Sequence, residues 1–420
     1  MGFLAKKDGD IAKNIKMGEI QKGNSLSLGH YICPEGTPVN FAISGNGGAF
    51  LGERYMPFYL YFESFLGLFP IIVLHNHNNL MEEIAYLTWK EKCENCAENA
   101  RPLICAVNEK NEVYQPFYGM NNMQIVSAFR QIAKDLGYSI TPKFEKIIRA
   151  HIEILEILRQ PVNLSGFYYL TSFNNMEEFY NNIMLLPCGE NNAKRIWADI
   201  SSNGDDENNQ LDLFRAVVNN LAEEAETNGW KRESKSSINC AEAIRNNATL
   251  LLSINGYYTN YFFTYLVEEL KSAKKPFLIV IDGINIHNRY LYDYLKNNNN
   301  FIIGLVSDNV VDMLGEKEED FVRFAEKINS FILFKHGTGK NAVVLSEMIG
   351  RCDIVRAEET SGSNKAFFSF LPSGTHKDVH YSKENRYRIM PEEITNLKNG
   401  EAIIFNTVTN NIYRFNQGGY

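Results

Sequence analysis

The sequence predicts an α/β fold: a mostly parallel sheet flanked by helices, with an all-α insertion. Three observations carry this. Residues 39–74 read as strand, glycine-rich loop, helix, strand. Residues 248–334 hold four apolar strands at intervals of roughly 25–35 residues, the length of a strand–helix–strand crossover. Between these two regions, residues 121–230 show helical patterns and few strand-like runs.

The composition suits a globular chain of two or three domains, or one large domain with insertions. Of 420 residues, 45% are hydrophobic and 22% charged, which excludes a disordered or fibrous chain. Lys and Arg total 42 against 50 Asp and Glu, a net charge of −8. That balance gives no global basic footprint for nucleic acid. Seven cysteines, an odd number, do not form a disulfide framework and read as reduced thiols of a cytoplasmic protein. The N-terminus reads as no secretory signal. The longest apolar stretch, residues 58–74, is broken by Glu63 and Pro70, so no membrane span is expected.

Each element follows from local patterning. Residues 25–33 read as short strands around Gly29, and residues 34–38 as a turn. Residues 39–44 form a short β-rich run that ends in the glycine cluster Gly45, Gly47 and Gly48. Phe58, Leu60, Phe62, Phe65, Leu66 and Phe69 give a helical pattern, which Pro70 stops before the apolar strand 71–74. Helices are expected over 125–136, 143–158, 176–186 and 211–225, with a polar acidic loop over 201–209. Strands return at 248–254, 276–282, 301–306 and 331–334, with a helix over 257–271. Pro391 opens a short helix, and residues 402–415 form a hairpin turning at Thr409 and Asn410.

The chemistry concentrates at the ends of two strands. A phosphate-cradling loop has the spacing G-x-x-x-x-G-K-[ST]: glycines free the backbone N–H groups, the Lys neutralises phosphate, and the hydroxyl holds Mg²⁺. Gly47 to Gly52 keeps both glycines, between strand and helix. Glu53 stands at the Lys position and Arg54 at the hydroxyl position. At about 4 Å and an effective dielectric near 20, reversing one unit charge there is worth on the order of 4 kcal/mol each way. A glycine turn with no ligand fits the same residues. The second nucleotide element is an apolar strand ending in an acid, usually followed by a Glu that orients water. Residues 278–282 supply the strand and Asp282, but the next residue is Gly283.

Three other features read as structural. The stretch His336-Gly337-Thr338-Gly339-Lys340-Asn341 resembles the tail of a phosphate loop, but Phe334 falls on its first glycine position, and it suits a turn into a helix. Cys93 and Cys96 are a lone pair at metal-ligand spacing, with Cys105, His75 and His77 nearby; a structural zinc needs four ligands, and unrelated surface thiols suit the pattern better. The aromatic run 257–263 could stack bases but suits a buried helix face better.

In this order the pieces resemble the FtsK–HerA group of hexameric P-loop ATPases, and within it the TraG/TraD-like coupling ATPases of conjugation and type IV secretion. Leu28 and Gly29 with residues 37–41 are similar to the strands before the phosphate loop. Residues 45–54 stand where that loop belongs. Residues 113–120 are similar to a segment after the second strand, and residues 243–282 to the strand–helix–strand leading to the metal-associated Asp. Residues 388–394, with Leu397 and residues 400–404, are similar to the C-terminal tail.

The resemblance implies a RecA-like P-loop core in two parts. Residues 1–120 would carry the degenerate phosphate loop, 121–235 the all-α insertion, and 236–420 the rest of the core with the terminal hairpin. It implies a nucleotide site at Gly45, Gly47, Gly48, Gly52, Glu53 and Arg54, a Walker-B-like Asp282 and a sensor-like Asp308. Arg351 is a candidate trans-acting arginine. The losses at Glu53, Arg54 and Gly283 all fall on hydrolysis, so no catalytic residue and no metal ligand is assigned, and ATP with Mg²⁺ would bind weakly or not at all. The expected role is a degenerate ATPase-fold component of a conjugation or type IV secretion apparatus. It would bind machinery proteins, an active paralogous ATPase in a hexameric ring, or DNA, in the cytoplasm and peripheral to the inner membrane through its partners. Two alternatives stand beside it. One is an active DNA-translocating motor that uses Arg54 for the phosphates. The other is a non-enzymatic nucleic-acid-binding module using Lys231, Arg232, Lys235, Lys271, Lys274 and Lys275.

Overall fold

The structure is a computed structural model. It describes residues 24–45, 69–76, 103–105, 113–171, 190–200, 205–228, 237–254, 260–315, 317–337, 339–363, 375–398 and 400–416. Helix α1 (Asn24–Ile32) precedes strands β1 (Phe41–Ser44), β2 (Ile71–His75), β3 (Leu103–Cys105) and β4 (Val113–Tyr114). Helices α2 (Asn122–Asp135), α3 (Pro142–Ile157), α4 (Leu164–Thr171), α5 (Glu190–Ile200) and α6 (Asp205–Thr227) follow. Strand and helix then alternate: β5 (Ser237–Ile238), α7 (Cys240–Arg245), β6 (Thr249–Ser253), α8 (Asn260–Leu270), β7 (Leu278–Asp282), α9 (Arg289–Asn297), β8 (Ile302–Ser307), α10 (Glu318–Ala325), β9 (Ser330–Leu333) and α11 (Gly339–Ile349). The chain closes with a ribbon of β10 (Arg351–Ser363) and β11 (Thr375–Tyr387), then α12 (Pro391–Thr395) and the hairpin β12 (Glu401–Asn406) and β13 (Asn411–Asn416).

The main sheet runs β13-β12-β9-β1-β8-β7-β2-β6-β3. From β9 to β3 every described pairing is parallel, and β12 and β13 add antiparallel to the β9 edge. Strands covered on both faces must be apolar throughout, and β2 (Ile-Ile-Val-Leu) and β7 (Leu-Ile-Val-Ile) are. Alternate residues feed two cores. Ala42, Ile72, Leu74, Ile279, Ile281 and Leu305 join the large core with the helices. Phe41, Ile43, Ile71, Val73, Val280 and Ile332 meet Leu28 and Ile32 of α1 on the other face. Asn40 ties three strand starts together: its side chain accepts from Ile303 N (2.9 Å) and donates to Lys327 O (3.0 Å), and its carbonyl accepts from Ser330 N (3.2 Å).

Helices α2 to α6 pack into the same large core through α8, which lies between β6 and β7. The aromatic run does form a buried helix face, with Phe262, Phe263 and Tyr265 inside. Polar contacts reinforce the join. Glu224 of α6 caps the start of α8, accepting from Phe262 N (2.8 Å) and Tyr261 N (3.3 Å). Burial pushes its carboxyl up to about 7, against those two hydrogen bonds. Glu269, fully buried, accepts from Tyr114 OH (2.5 Å) and from Cys240 N at the start of α7. In α3, His151 is buried against Phe214, its Nδ1 2.7 Å from Ile147 O, and burial lowers its pKa to about 4.

Two expectations need correction. Residues 24–32 are a helix rather than short strands, because Leu28 and Ile32 lie one turn apart and both bury against β1. Residues 205–209 begin α6 rather than close a loop; acidic residues suit the positive end of a helix dipole. Helices α4 and α5 and the β10–β11 ribbon, with its 13 register pairs, were not anticipated. The helix expected over 58–69, the one over 176–186, and Cys93 and Cys96 lie outside the described residues. No helix among the described residues is long and apolar enough to cross a membrane.

Candidate functional site

Ligands of open parallel sheets bind outside the carboxyl ends of the strands, where the chain leaves neighbouring strands in opposite directions. Here that point falls between β9 and β1. After β1 the chain crosses β8 and β7 to reach β2, whereas after β9 it continues in the opposite direction to β12. From β1 across the sheet to β6 the strands share a pattern: an apolar run that closes on one polar residue. β1 ends in Ser44, β2 in His75, β6 in Ser253, β7 in Asp282 and β8 in Ser307. Register aligns them into a row, with Ser44 beside Ser307, Asp282 beside Val306, His75 beside Asp282, and Ser253 beside His75. Ser44, His75, Ser253 and Asp282 are all buried.

Backbone bonds lock the row. Phe334 N donates to Ser44 O (2.8 Å), Gly45 N to Ser307 O (3.1 Å) and Gly283 N to Val306 O (2.8 Å). The Ser44 hydroxyl accepts from Val310 N (3.2 Å), which fixes the turn after β8. Gly45 has φ +95°, and a Cβ there would fall 2.7 Å from Phe334 O and 2.8 Å from Lys335 O. Only glycine lets the chain leave β1 so close to the end of β9.

Asp282 closes β7 as expected, buried at the carboxyl edge. The residue after it is constrained in a way the sequence alone hides. Gly283 has φ +69°, and a Cβ there would lie 2.5 Å from Oδ1 of Asn76, the residue after His75. The position usual for a water-orienting Glu is thus one that side chains disfavour. Asp308 follows β8 and is exposed. Gly47, Gly48, Gly52, Glu53 and Arg54 lie outside the described residues.

The remaining candidates fall elsewhere. Arg351 is at the base of the ribbon, its guanidinium 4.2 Å above the Tyr387 ring and donating to Tyr387 OH (2.8 Å). Of the basic residues, Lys271 pairs with Glu268 (2.5 Å) and Lys275 donates to Arg245 O (2.8 Å), while Lys231, Arg232 and Lys235 are outside the described residues. No group of three or more His, Cys, Asp or Glu among the described residues could hold a metal. Sequence reading passed over Ser44, Asn76, Ser253 and Ser307. The signal was the single polar residue that ends each apolar strand.

A hard cation such as Mg²⁺ takes oxygen ligands. The Asp282 carboxylate is of that type, whereas Ser44 stands two strands away, beyond β8, with its hydroxyl accepting from Val310 N. Beyond Asp282, none of the residues that close these strands carries a carboxylate.

Strand order, the glycine exit from β1 and the acid that closes β7 define a mostly parallel α/β core of RecA-like fold. One solved structure shares this fold. The unbound monoclinic form of the bacterial conjugative coupling protein TrwBdeltaN70 overlays with a TM-score of 0.53 at 11% identity, covering 91% of this chain and 86% of that one. The plasmid coupling protein TrwB in complex with the non-hydrolysable GTP analogue GDPNP gives 0.41 at 12% identity, covering 83% and 87%. TrwB in complex with ADP and Mg²⁺ gives 0.42 at 12% identity, covering 83% and 84%. No family model matches the sequence, and no curated protein matches it.

Proposed function

We propose that the chain is an ATPase-fold component of a conjugation or type IV secretion-like transfer apparatus that binds partners and has impaired ATP hydrolysis. The observation that carries this is Gly283: its left-handed backbone and its closeness to Asn76 disfavour a water-orienting acid beside Asp282. The extent of the fold likeness to a conjugative coupling protein supports the setting. Asp282 would offer its carboxylate to a cation, and that ion, when bound, would neutralise phosphate charge. Ser44, His75, Ser253 and Asp282 line the strand ends with buried polar side chains. Glu53 and Arg54 in place of Lys and Ser/Thr weaken nucleotide binding. Helices α2 to α6, within residues 121–235, are the surface we assign to partner recognition.

The test mixes the full chain with the purified active coupling ATPase of the same apparatus and follows both by size-exclusion chromatography with light scattering. Co-elution is expected. Separate elution, together with Mg-ATP turnover by the chain alone, would overturn the reading.

A further inference from the structure

A cavity lies where the helical region meets the core. It measures about 260 Å³ and is walled by the end of α2, the start of α8 and the start of α9. None of the residues that close the strands lines it. Pockets for drug-sized ligands run to roughly 300–1,000 Å³, so this one suits a single side chain or a small organic ion. Its rim is open, with Asp135, Asn260 and His287 exposed, and Ile132 and Leu136 add apolar wall.

The charge in this cavity is one-sided. Asp135 ends α2, where the negative end of the helix dipole already favours a cation. Its Oδ1 accepts from Gln131 Nε2 (2.8 Å) and its Oδ2 from Thr264 Oγ1 (2.8 Å). Both donors are neutral, and no cation among the described residues pairs with this carboxylate. An ionised carboxylate has about four acceptor sites, so about two remain. Arg289 lines the same cavity, but its guanidinium is committed to Asp293 (3.1 Å) and Asp320 (3.3 Å), above the Tyr292 ring. Lys271, 4.8 Å from the Tyr290 ring centre, is held by Glu268 (2.5 Å).

Tyr261 and Tyr290 supply aromatic wall, which attracts cations. Burial raises both phenol pKa values, and carboxylates raise them further: Glu224 and Glu223 at Tyr261, Glu268 and Asp135 at Tyr290. An anion would find the nearby helix-start donors taken. Tyr261 N and Phe262 N of α8 give to Glu224, and Leu291 N of α9 gives to Asn288 Oδ1 (2.8 Å).

We propose that this cavity binds an organic cation, a guanidinium or ammonium on an apolar stem, through the Asp135 carboxylate and beside Tyr261 and Tyr290. The cation has two sources: the arginine or lysine side chain of a partner protein, or a free small guanidine or amine. Helix α2 belongs to the surface assigned above to partner recognition, and only the first source rests on that reading.

The full chain is titrated calorimetrically with agmatine, with a capped Gly-Arg-Gly peptide, and with the same peptide carrying citrulline, the neutral isostere of arginine. Wild type, Asp135→Asn and Asp293→Asn are compared. Asp135 is exposed and the amide keeps an oxygen acceptor for Thr264, so the fold is kept. Amide resonances of Thr264 and Asn288 give a readout in wild type that needs no variant. The expected result is saturable binding of a cationic probe and shifts at both amides. Affinity should fall at least about tenfold in Asp135→Asn, the scale of one charge-assisted contact, and stay unchanged in Asp293→Asn. Binding of agmatine alone would identify a free cation as the ligand, and binding of the arginine peptide would identify a partner's side chain; both support the site. Agmatine binding without peptide binding would leave partner recognition to be judged by co-elution with the coupling ATPase. No binding of either cation, unmoved amides, a citrulline peptide that binds as tightly as the arginine one, or equal affinity in wild type and Asp135→Asn would overturn the site.

Discussion

Asn76 and Gly283 compete for one space. Register pairs His75 with Asp282, so the residues that follow them sit side by side, and a Cβ on Gly283 would lie 2.5 Å from Oδ1 of Asn76. Gly283→Glu should therefore not be a simple repair. A non-glycine residue at φ +69° costs roughly 1–2 kcal/mol, and Asn76 must also move. The urea midpoint should fall, and Gly283→Glu combined with Asn76→Gly should recover part of the loss. A single variant as stable as wild type would show that the space is not contested.

Glu224 makes stability fall with rising pH over a defined window. Its carboxyl keeps a proton to about pH 7 in the folded chain, against 4.5 for an ordinary carboxyl. Between these values the folded state binds more protons than the unfolded one, so stability declines as pH rises. Glu224→Gln keeps an oxygen acceptor for the start of α8 and removes the titration. Urea unfolding from pH 4.5 to 7.5 should show a slope in wild type that is flatter in the variant, by about 1–3 kcal/mol over the window. Parallel profiles would refute the assignment.

His151 acts in the opposite sense. Its folded pKa is about 4, below the ordinary 6.5, because burial disfavours the charged ring. Its contribution is fully present above pH 6.5 and is lost as pH falls toward 4, on the order of 2–3 kcal/mol. His151→Leu should flatten the acid limb, at some cost in packing against Phe214 at neutral pH. His336 shifts in the same direction and would keep part of that limb. An unchanged acid limb would mean that His151 is accessible to protons in the fold.

Glu269 is the acceptor that joins β4, α7 and α8, through Tyr114 OH and Cys240 N. Glu269→Ala would leave those buried donors without it, at about 1–3 kcal/mol for each unsatisfied group. Glu269→Gln keeps one oxygen acceptor and should cost less. Hydrogen exchange at residues 113–118 and 240–245 reads the effect. Equal protection in wild type and Glu269→Ala would show that the helices hold together without it.

Much of the sheet was legible because parallel strands buried on both faces must be apolar: β2, β6, β7 and β8 stand out as runs of Ile, Leu and Val. Asp282 was legible for the same reason, as the acid that interrupts such a run. The strand order was not, because pairing is set by crossovers that leave no local mark. Helix α1 was misread since its apolar residues, Leu26, Leu28 and Ile32, alternate at first and reveal the helical spacing only at Ile32. Ribbon β10–β11 escaped because its residues, such as Arg356, Glu358, Lys377 and Asp378, give no apolar alternation. The constraint at Gly283 was invisible because it depends on Asn76, more than 200 residues away in the chain.

Steady-state phosphate release from Mg-ATP, with and without single-stranded DNA, tests the central claim most directly, with Asp282→Ala as the baseline. Impaired hydrolysis predicts that wild type and Asp282→Ala release phosphate at the same background rate under both conditions. Release by wild type that DNA stimulates and Asp282→Ala abolishes would contradict it and make the chain a working motor.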